Sequence, residues 1–188
     1  MEAILNREII ANKALCRLFC VLTFVILTAI GAFVRIPLPF TPVPITLQTF
    51  FVLLSGALLG SNLGMLVQLS YITAGAVGMP IFTGAGSGLS YLLGPTAGYH
   101  FGFILTAFWL GKFIKYSRDN LLLTFIILCI GDLILLSCGI LWLKIIFGYS
   151  FTKLFFIGLL PFIPGDLVKT FVAAVIYLKL KNRARELL

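Results

Sequence analysis

Charged residues are scarce in this chain, and two of them stand where chemistry would need them. Asp166 and Lys169 lie in the run Pro161-Phe-Ile-Pro-Gly-Asp-Leu-Val-Lys169. A spacing of three puts both side chains on one helix face. An unpaired charge in an apolar helix at membrane depth costs from ~2.5 kcal/mol upward, so the two are expected to pair with each other or with a polar ligand. Pro164 and Gly165 immediately precede Asp166, which places the carboxylate in or near a first helical turn, where capping and the helix dipole favour it. Two readings fit: a ligand-binding pair, or a structural cap beside a lysine that reaches toward the interface.

Two loops carry the next signal. Arg35-Ile-Pro-Leu-Pro-Phe-Thr-Pro-Val-Pro44 holds four prolines in ten residues, which excludes regular helix and makes the segment stiff. Residues Pro80 to Gly94 are rich in Gly and Ser and carry no charge, so their backbone can approach a ligand closely. Phe33, Phe40, Phe82, Tyr91 and Tyr99 offer apolar walls, while Gln48, Ser87 and Ser90 add polar groups. That is the profile of a pocket for a small amphipathic molecule. Ordinary loop rigidity with an interfacial aromatic belt is the competing reading.

Other polar groups say less. Asp132, between Gly131 and Leu133, is expected to be a carboxylic acid bonded to a polar neighbour such as Gln68. A proton relay would need a chain of ionisable partners. The only histidine, His100, has no evident triad or metal partners and reads as a local hydrogen-bonding group. Small residues recur at four-residue spacing in Cys16 with Cys20, Gly56 with Gly60 and Gly98 with Gly102. Such spacing serves close helix approach, either within the bundle or, most plausibly for the first helix, against another membrane protein. There is no G-x-x-x-x-G-K-[ST], no H-E-x-x-H and no G-x-S-x-G, so nothing supports P-loop ATP binding, zincin or serine-hydrolase chemistry.

The elements that position these residues follow from composition. Of 188 residues, 61% are hydrophobic and 11% charged, whereas soluble domains are about 45–50% apolar and about 25% charged. Lipid is the solvent that removes the excess. Apolar runs divided by loop signals give six spans: Ala14 to Phe33, Ile45 to Leu59, Leu63 to Met79, Pro95 to Ile114, Leu121 to Phe147 and Phe162 to Leu180. Gly60-Ser-Asn62 alone separates the second from the third, which predicts a tight helical hairpin. A short surface helix is expected between Gly148 and Leu160. The chain is thus read as an all-α polytopic membrane protein, one transmembrane domain over residues 1–188. The stretch after Arg7, Lys13 and Arg17 resembles a secretory signal but is long enough to span, so an uncleaved first helix is preferred.

Net charge is +8. The basic residues flank apolar runs, which favours topology and lipid phosphate over nucleic acid. With both termini inside, the inner side collects ten Lys and Arg, including Arg7, Lys115, Arg118, Lys181 and Arg185, against three outside, Arg35, Lys144 and Lys153. Both termini are therefore expected in the cytoplasm, with the proline and glycine loops together outside. The cysteines, Cys16, Cys20, Cys129 and Cys138, all lie in apolar segments and form no C-x-x-C pair, which argues against a disulfide framework or zinc site.

The ordered motifs resemble a known family. Arg35-Ile-Pro-Leu-Pro-Phe-Thr-Pro-Val-Pro-Ile-Thr-Leu-Gln48 is similar to the first-loop signature of the biotin-specific substrate-binding component of energy-coupling-factor transporters. Gly56-Ala-Leu-Leu-Gly60, Gly78-Met-Pro-Ile-Phe82, Gly94-Pro-Thr-Ala-Gly-Tyr99 and the Pro161–Lys169 run follow in the family's order. The resemblance implies six helices and biotin held on the outer side under the first loop. Asp166 and Lys169 would form the polar part of the pocket, with Tyr99 and the glycine loop lining it. Lys169 would serve the ligand carboxylate or orient Asp166, and Asp166 would accept from the ureido N–H groups. The chain would then be no enzyme and carry no cofactor. Its partners would be a transmembrane coupling protein and two cytoplasmic ATPases that hydrolyse the ATP, and its place the cytoplasmic membrane. The family's first helix docks on the coupling protein through Ala-x-x-x-Ala; Cys16 and Cys20 stand in similar places here. Competing readings are a component for another vitamin, an intramembrane enzyme, for which no nucleophile or metal set is visible, and a structural subunit.

Overall fold

The structure is a computed structural model that describes residues 13–188; Arg7, counted above on the inner side, lies outside them. Most of the described chain is helical. Helix α1 spans Lys13–Phe33. A short antiparallel pair follows, β1 (Arg35–Ile36) with β2 (Ile45–Thr46), in the register Arg35 opposite Thr46, and it closes the prolyl segment into one loop. Then come α2 (Gln48–Ala76), the short α3 (Gly88–Leu92), and α4 (Ala97–Phe113) with a 3-10 turn at Ile114–Ser117. Helix α5 spans Leu121–Phe147. A single-turn α6 (Phe151–Leu154) runs into a π turn (Phe155–Leu159), and α7 spans Ile163–Leu187.

The expected hairpin lies within α2. Gly60 adopts φ 82° and ψ 178°, a conformation open to glycine and strained for other residues, and the helix breaks there. A β-carbon on Gly64 would come within 2.8 Å of Gly56 Cα, although eight residues along a straight helix would separate them by ~12 Å. Gln68 Nε2 donates to Ser55 Oγ at 2.9 Å and Gln48 Nε2 to the Tyr71 hydroxyl at 2.7 Å. Residues 48–59 and 61–76 are therefore two antiparallel arms. The α2 arms lie against α1, α4 and α7, and α5 packs on α4 and α7. Gly56 lets the backbone of Ala107 on α4 approach, and Gly102 does the same for Leu135 on α5, so these small residues bring helices of this chain together.

Large apolar side chains cover the outside: Leu22, Ile26 and Ile30 on α1, Leu122, Ile126 and Leu133 on α5, Val168, Phe171 and Val172 on α7. Soluble monomers rarely expose apolar surface on this scale, and lipid tails satisfy it. Among the described residues, three helical segments, Lys13–Phe33, Gln48–Ala76 with its two arms and Leu121–Phe147, are by length and composition membrane-span candidates, and the segment Phe151–Leu159 with Ile163–Leu187, bent by 50°, is a fourth. The chain is a multi-pass membrane protein.

Several boundaries differ from expectation. The second span begins at Gln48 rather than Ile45, which pairs in β2, and the third ends at Ala76 rather than Met79. Helix α4 begins at Ala97 rather than Pro95, because residues 93–96 form a turn whose Gly94 carbonyl accepts from the Trp142 indole at 2.9 Å. Helix α7 continues to Leu187 instead of stopping near Leu180, its last turns held by an ion pair from Lys181 to Asp119.

Candidate functional site

The prolyl loop does not stand away from the bundle. Leu47 N–H is shared between the Gly31 carbonyl at 3.1 Å and that of Val34 at 3.0 Å, which ties the loop's end to α1. Val43 is buried and joins the core, so the loop turns an apolar side chain inward. The glycine loop does the same with Phe82, fully buried over Gly75 and stacked on Tyr91 at 5.1 Å. The Tyr91 hydroxyl donates to the Thr83 carbonyl at 3.0 Å and fixes the loop's descent.

Beneath these loops lies a pocket whose polar lining includes Gln48, Thr83, Tyr99, His100, Asp166 and Lys169. Its volume is about 40 Å³, room for one to a few waters, so a larger guest requires the lining to move. Lys169 is the hub. Its ammonium contacts the Asp166 carboxylate and donates to the Thr46 carbonyl at 3.1 Å and to Thr49 Oγ1 at 2.7 Å. An ammonium has three N–H donors, and here each has a protein acceptor. Lys169 thus anchors α7 to β2 and to the start of α2.

What stays unsatisfied is informative, because buried polar groups are nearly always paired. Among the described residues, Asp166 Oδ2, the Tyr99 hydroxyl and His100 Nε2 are buried without a hydrogen-bond partner, and all three residues line the pocket. His100 Nδ1 lies 3.0 Å from the Thr96 carbonyl. A carbonyl only accepts, so Nδ1 carries the proton of the neutral ring and Nε2 keeps its lone pair. The pocket therefore presents a carboxylate oxygen, an imidazole lone pair and a phenol to whatever enters it. Gln48 is already engaged: its Oε1 accepts from Thr83 Oγ1 at 3.1 Å while its amide donates to Tyr71.

Of the residues singled out from sequence, Asp166, Lys169, Tyr99 and Gln48 come together here. Tyr91 braces the glycine loop from behind. Ser87 is the half-buried residue before α3 and makes no cap hydrogen bond. Phe40 is 55% exposed at the tip of the prolyl loop. Neither of the last two lines the pocket. Cys16 is buried, and Cys20 lies with Phe24 beside Leu58 and Leu59 of α2.

One correction concerns Asp132. Gln68 bonds Ser55 rather than Asp132, because the second arm of α2 carries it to the first arm. Asp132 instead shares a crevice with Asp166 and Thr170. His100 makes the local hydrogen bond expected of it, to the Thr96 carbonyl, and in addition lines the pocket. Its only sequence signal is adjacency to Tyr99 in the Gly94–Tyr99 motif, and a single histidine shows no spacing.

The comparisons with known proteins agree with this geometry. The model of the BioY family matches residues 7–186. The probable biotin transporter BioY of Pyrococcus horikoshii is 39% identical over 159 residues, 85% of this chain and 92% of that protein. The biotin transporter BioY of Thermotoga maritima is 39% identical over 159 residues, with the same coverage of both chains. A crystal structure described as the S-component for biotin from an ECF-type ABC transporter superposes with a TM-score of 0.85 at 28% identity, covering 91% of this chain and 93% of that one. With nearly the whole chain matched in sequence and in fold, the chain belongs to the BioY family.

Proposed function

We propose that this chain binds biotin and serves as the substrate-specificity component of an energy-coupling-factor transporter in the cytoplasmic membrane. Residues 1–188 act as one transmembrane domain that crosses six times, with both termini in the cytoplasm. The chain has no catalytic step and no cofactor of its own. A transmembrane coupling protein and two cytoplasmic ATPases supply the energy.

The observation that carries the reading is the set of orphaned groups around the Asp166–Lys169 pair, in a pocket roofed by the two motif loops. A ureido ring has two N–H donors and one carbonyl acceptor. Asp166 Oδ2 and His100 Nε2 are acceptors for the former, and the Tyr99 phenol is a donor for the latter. Val43, Phe103, Leu135 and Phe162 give the sulfur-containing ring apolar walls. Because each Lys169 proton already has an acceptor, we assign Lys169 to orienting Asp166 and place the ligand carboxylate toward the loops. Phe40 and Ser87 would then meet the valeryl end when the loops reclose.

Isothermal titration of biotin against the purified chain in detergent tests this, with Asp166→Asn and the amide of biotin as companions. Tight binding that Asp166→Asn abolishes and the amide retains is the expected result. No binding by a well-folded wild type would overturn the biotin assignment. Loss of binding by the amide together with Asp166→Asn would reverse the ligand's orientation.

A further inference from the structure

The end of the bundle remote from this pocket holds a second cavity. Helix α7 carries Asp166 in its first turn and Arg185 in its last, about 28 Å apart along the axis. Around Arg185 the break at Gly60, the end of α4 at Gly111 and the last turns of α7 enclose a space of about 340 Å³. Its charged side chains are Lys115, Lys181 and Arg185, with Tyr177 beside them and no acidic side chain among them. Lys181 is 7% exposed and pairs with Asp119 at the rim. Its hydrogen bond holds that exposed carboxyl below the usual carboxylate range. Lys115 and Arg185 form no ion pair among the described residues. Three cationic side chains against one rim acid leave the cavity's side chains net positive, and Leu188, which also lines it, has its terminal oxygen held by Arg17.

An apolar groove of about 260 Å³ runs alongside, between α1, α2 and α7. Phe24, Leu180 and Leu187 wall it, and it shares Leu58 and Leu59 with the basic cavity. A phosphate-sized basic cavity opening into an alkyl-sized groove matches the two parts of one phospholipid. Basic pockets between transmembrane helices take anionic head groups in this way, and a guanidinium fits phosphate oxygens bidentately.

We infer that this end of the bundle binds a phospholipid of net negative charge, its phosphate among Lys115, Lys181 and Arg185 and one acyl chain in the groove past Leu58 and Leu59. A head group bearing its own ammonium would find only Asp119, which Lys181 already holds. The site is independent of what the other pocket binds.

Native mass spectrometry of the purified chain tests it, with equimolar dioleoyl phosphatidylglycerol and dioleoyl phosphatidylcholine. The wild type is expected to carry phosphatidylglycerol at least fivefold over phosphatidylcholine. Lys115→Gln with Arg185→Gln, both at exposed positions, should bring the ratio near one, while Lys115→Arg keeps it. Equal adducts in the wild type, or an unchanged ratio in the double variant at an unchanged melting temperature, would overturn the inference. Complete displacement of the lipid by millimolar inorganic phosphate would overturn it in favour of a free-anion site. An unchanged lipid ratio with lost assembly onto the coupling protein would replace the lipid with an acidic protein surface. The lipid readout does not involve biotin, so a failed biotin assignment leaves it standing.

Discussion

Lys169 and Asp166 can be separated as sources of stability and of binding. Removing one partner of a buried ion pair costs about 3–5 kcal/mol, because the other charge is left uncompensated. Lys169→Met is therefore expected to lower the melting temperature in detergent and to cut biotin affinity at least a hundredfold. The double variant Asp166→Asn with Lys169→Met removes both charges and should regain much of the melting temperature without regaining binding. Recovery of binding in the double variant would deny Asp166 a ligand contact. His100 makes a second residue-scale case. Losing one buried hydrogen bond costs about 1–3 kcal/mol, so His100→Ala is expected to weaken biotin binding roughly 10- to 100-fold at about 1.4 kcal/mol per decade. His100→Gln, whose amide oxygen also accepts, should recover part of that loss in the same titration. The legible residues were those whose type and spacing break the local rule: a charged pair in an apolar helix, a glutamine and a tyrosine inside motif loops. His100 was not legible, because its orphaned Nε2 exists only once α4 is seated under Phe82, with ring centroids 4.9 Å apart.

At the scale of elements, the pocket depends on how closely α4 and α5 approach. The Tyr99 ring lies directly on Gly139 of α5, where a β-carbon would come within 2.3 Å of the ring. Gly139→Ala must push the ring toward the pocket, and overpacking of this kind costs about 1–3 kcal/mol. The expected outcome is roughly tenfold weaker biotin binding with an unchanged helical circular-dichroism spectrum. Adding Tyr99→Leu should relieve the strain in the melting temperature while leaving binding weak. A Gly139→Ala chain that binds as well as the wild type would show that the ring has room to yield. Element boundaries were legible where the chain carries its own stop signals. Asn120 caps α5 by accepting from the Leu123 N–H at 3.1 Å, and Gly148 ends it at φ 62°, so Leu121–Phe147 matched expectation. They were not legible where a distant side chain decides, as Trp142 does for the start of α4 and Asp119 for the end of α7.

The whole molecule has two chemically different ends. One holds the loops and the Asp166–Lys169 pocket, the other the basic residues of α7 and the 3-10 turn, and the roughly 28 Å between Asp166 and Arg185 is close to the ~30 Å of a bilayer core. In the proposed topology the basic end faces the cytoplasm, as the excess of Lys and Arg there favours. The crossing number turns on α2. If residues 48–59 and 61–76 each cross, the stretch from Phe40 to Asn182 crosses an odd number of times, five, with α4, α5 and α7. Antiparallel arms that stopped short of crossing would give three, which leaves Phe40 and Asn182 on opposite sides but puts Asn62, beside the break at Gly60, on the side of Phe40. Single-cysteine variants Phe40→Cys, Asn62→Cys and Asn182→Cys, in a chain with Cys16, Cys20, Cys129 and Cys138 replaced by serine, separate the two. A membrane-impermeant maleimide is expected to label position 40 in intact cells and positions 62 and 182 only after permeabilisation. Labelling of positions 40 and 62 from one side would mean that the arms of α2 do not cross, and the six-span arrangement would fall. The reverse pattern would keep six spans and turn the pocket toward the cytoplasm, which is incompatible with uptake from outside.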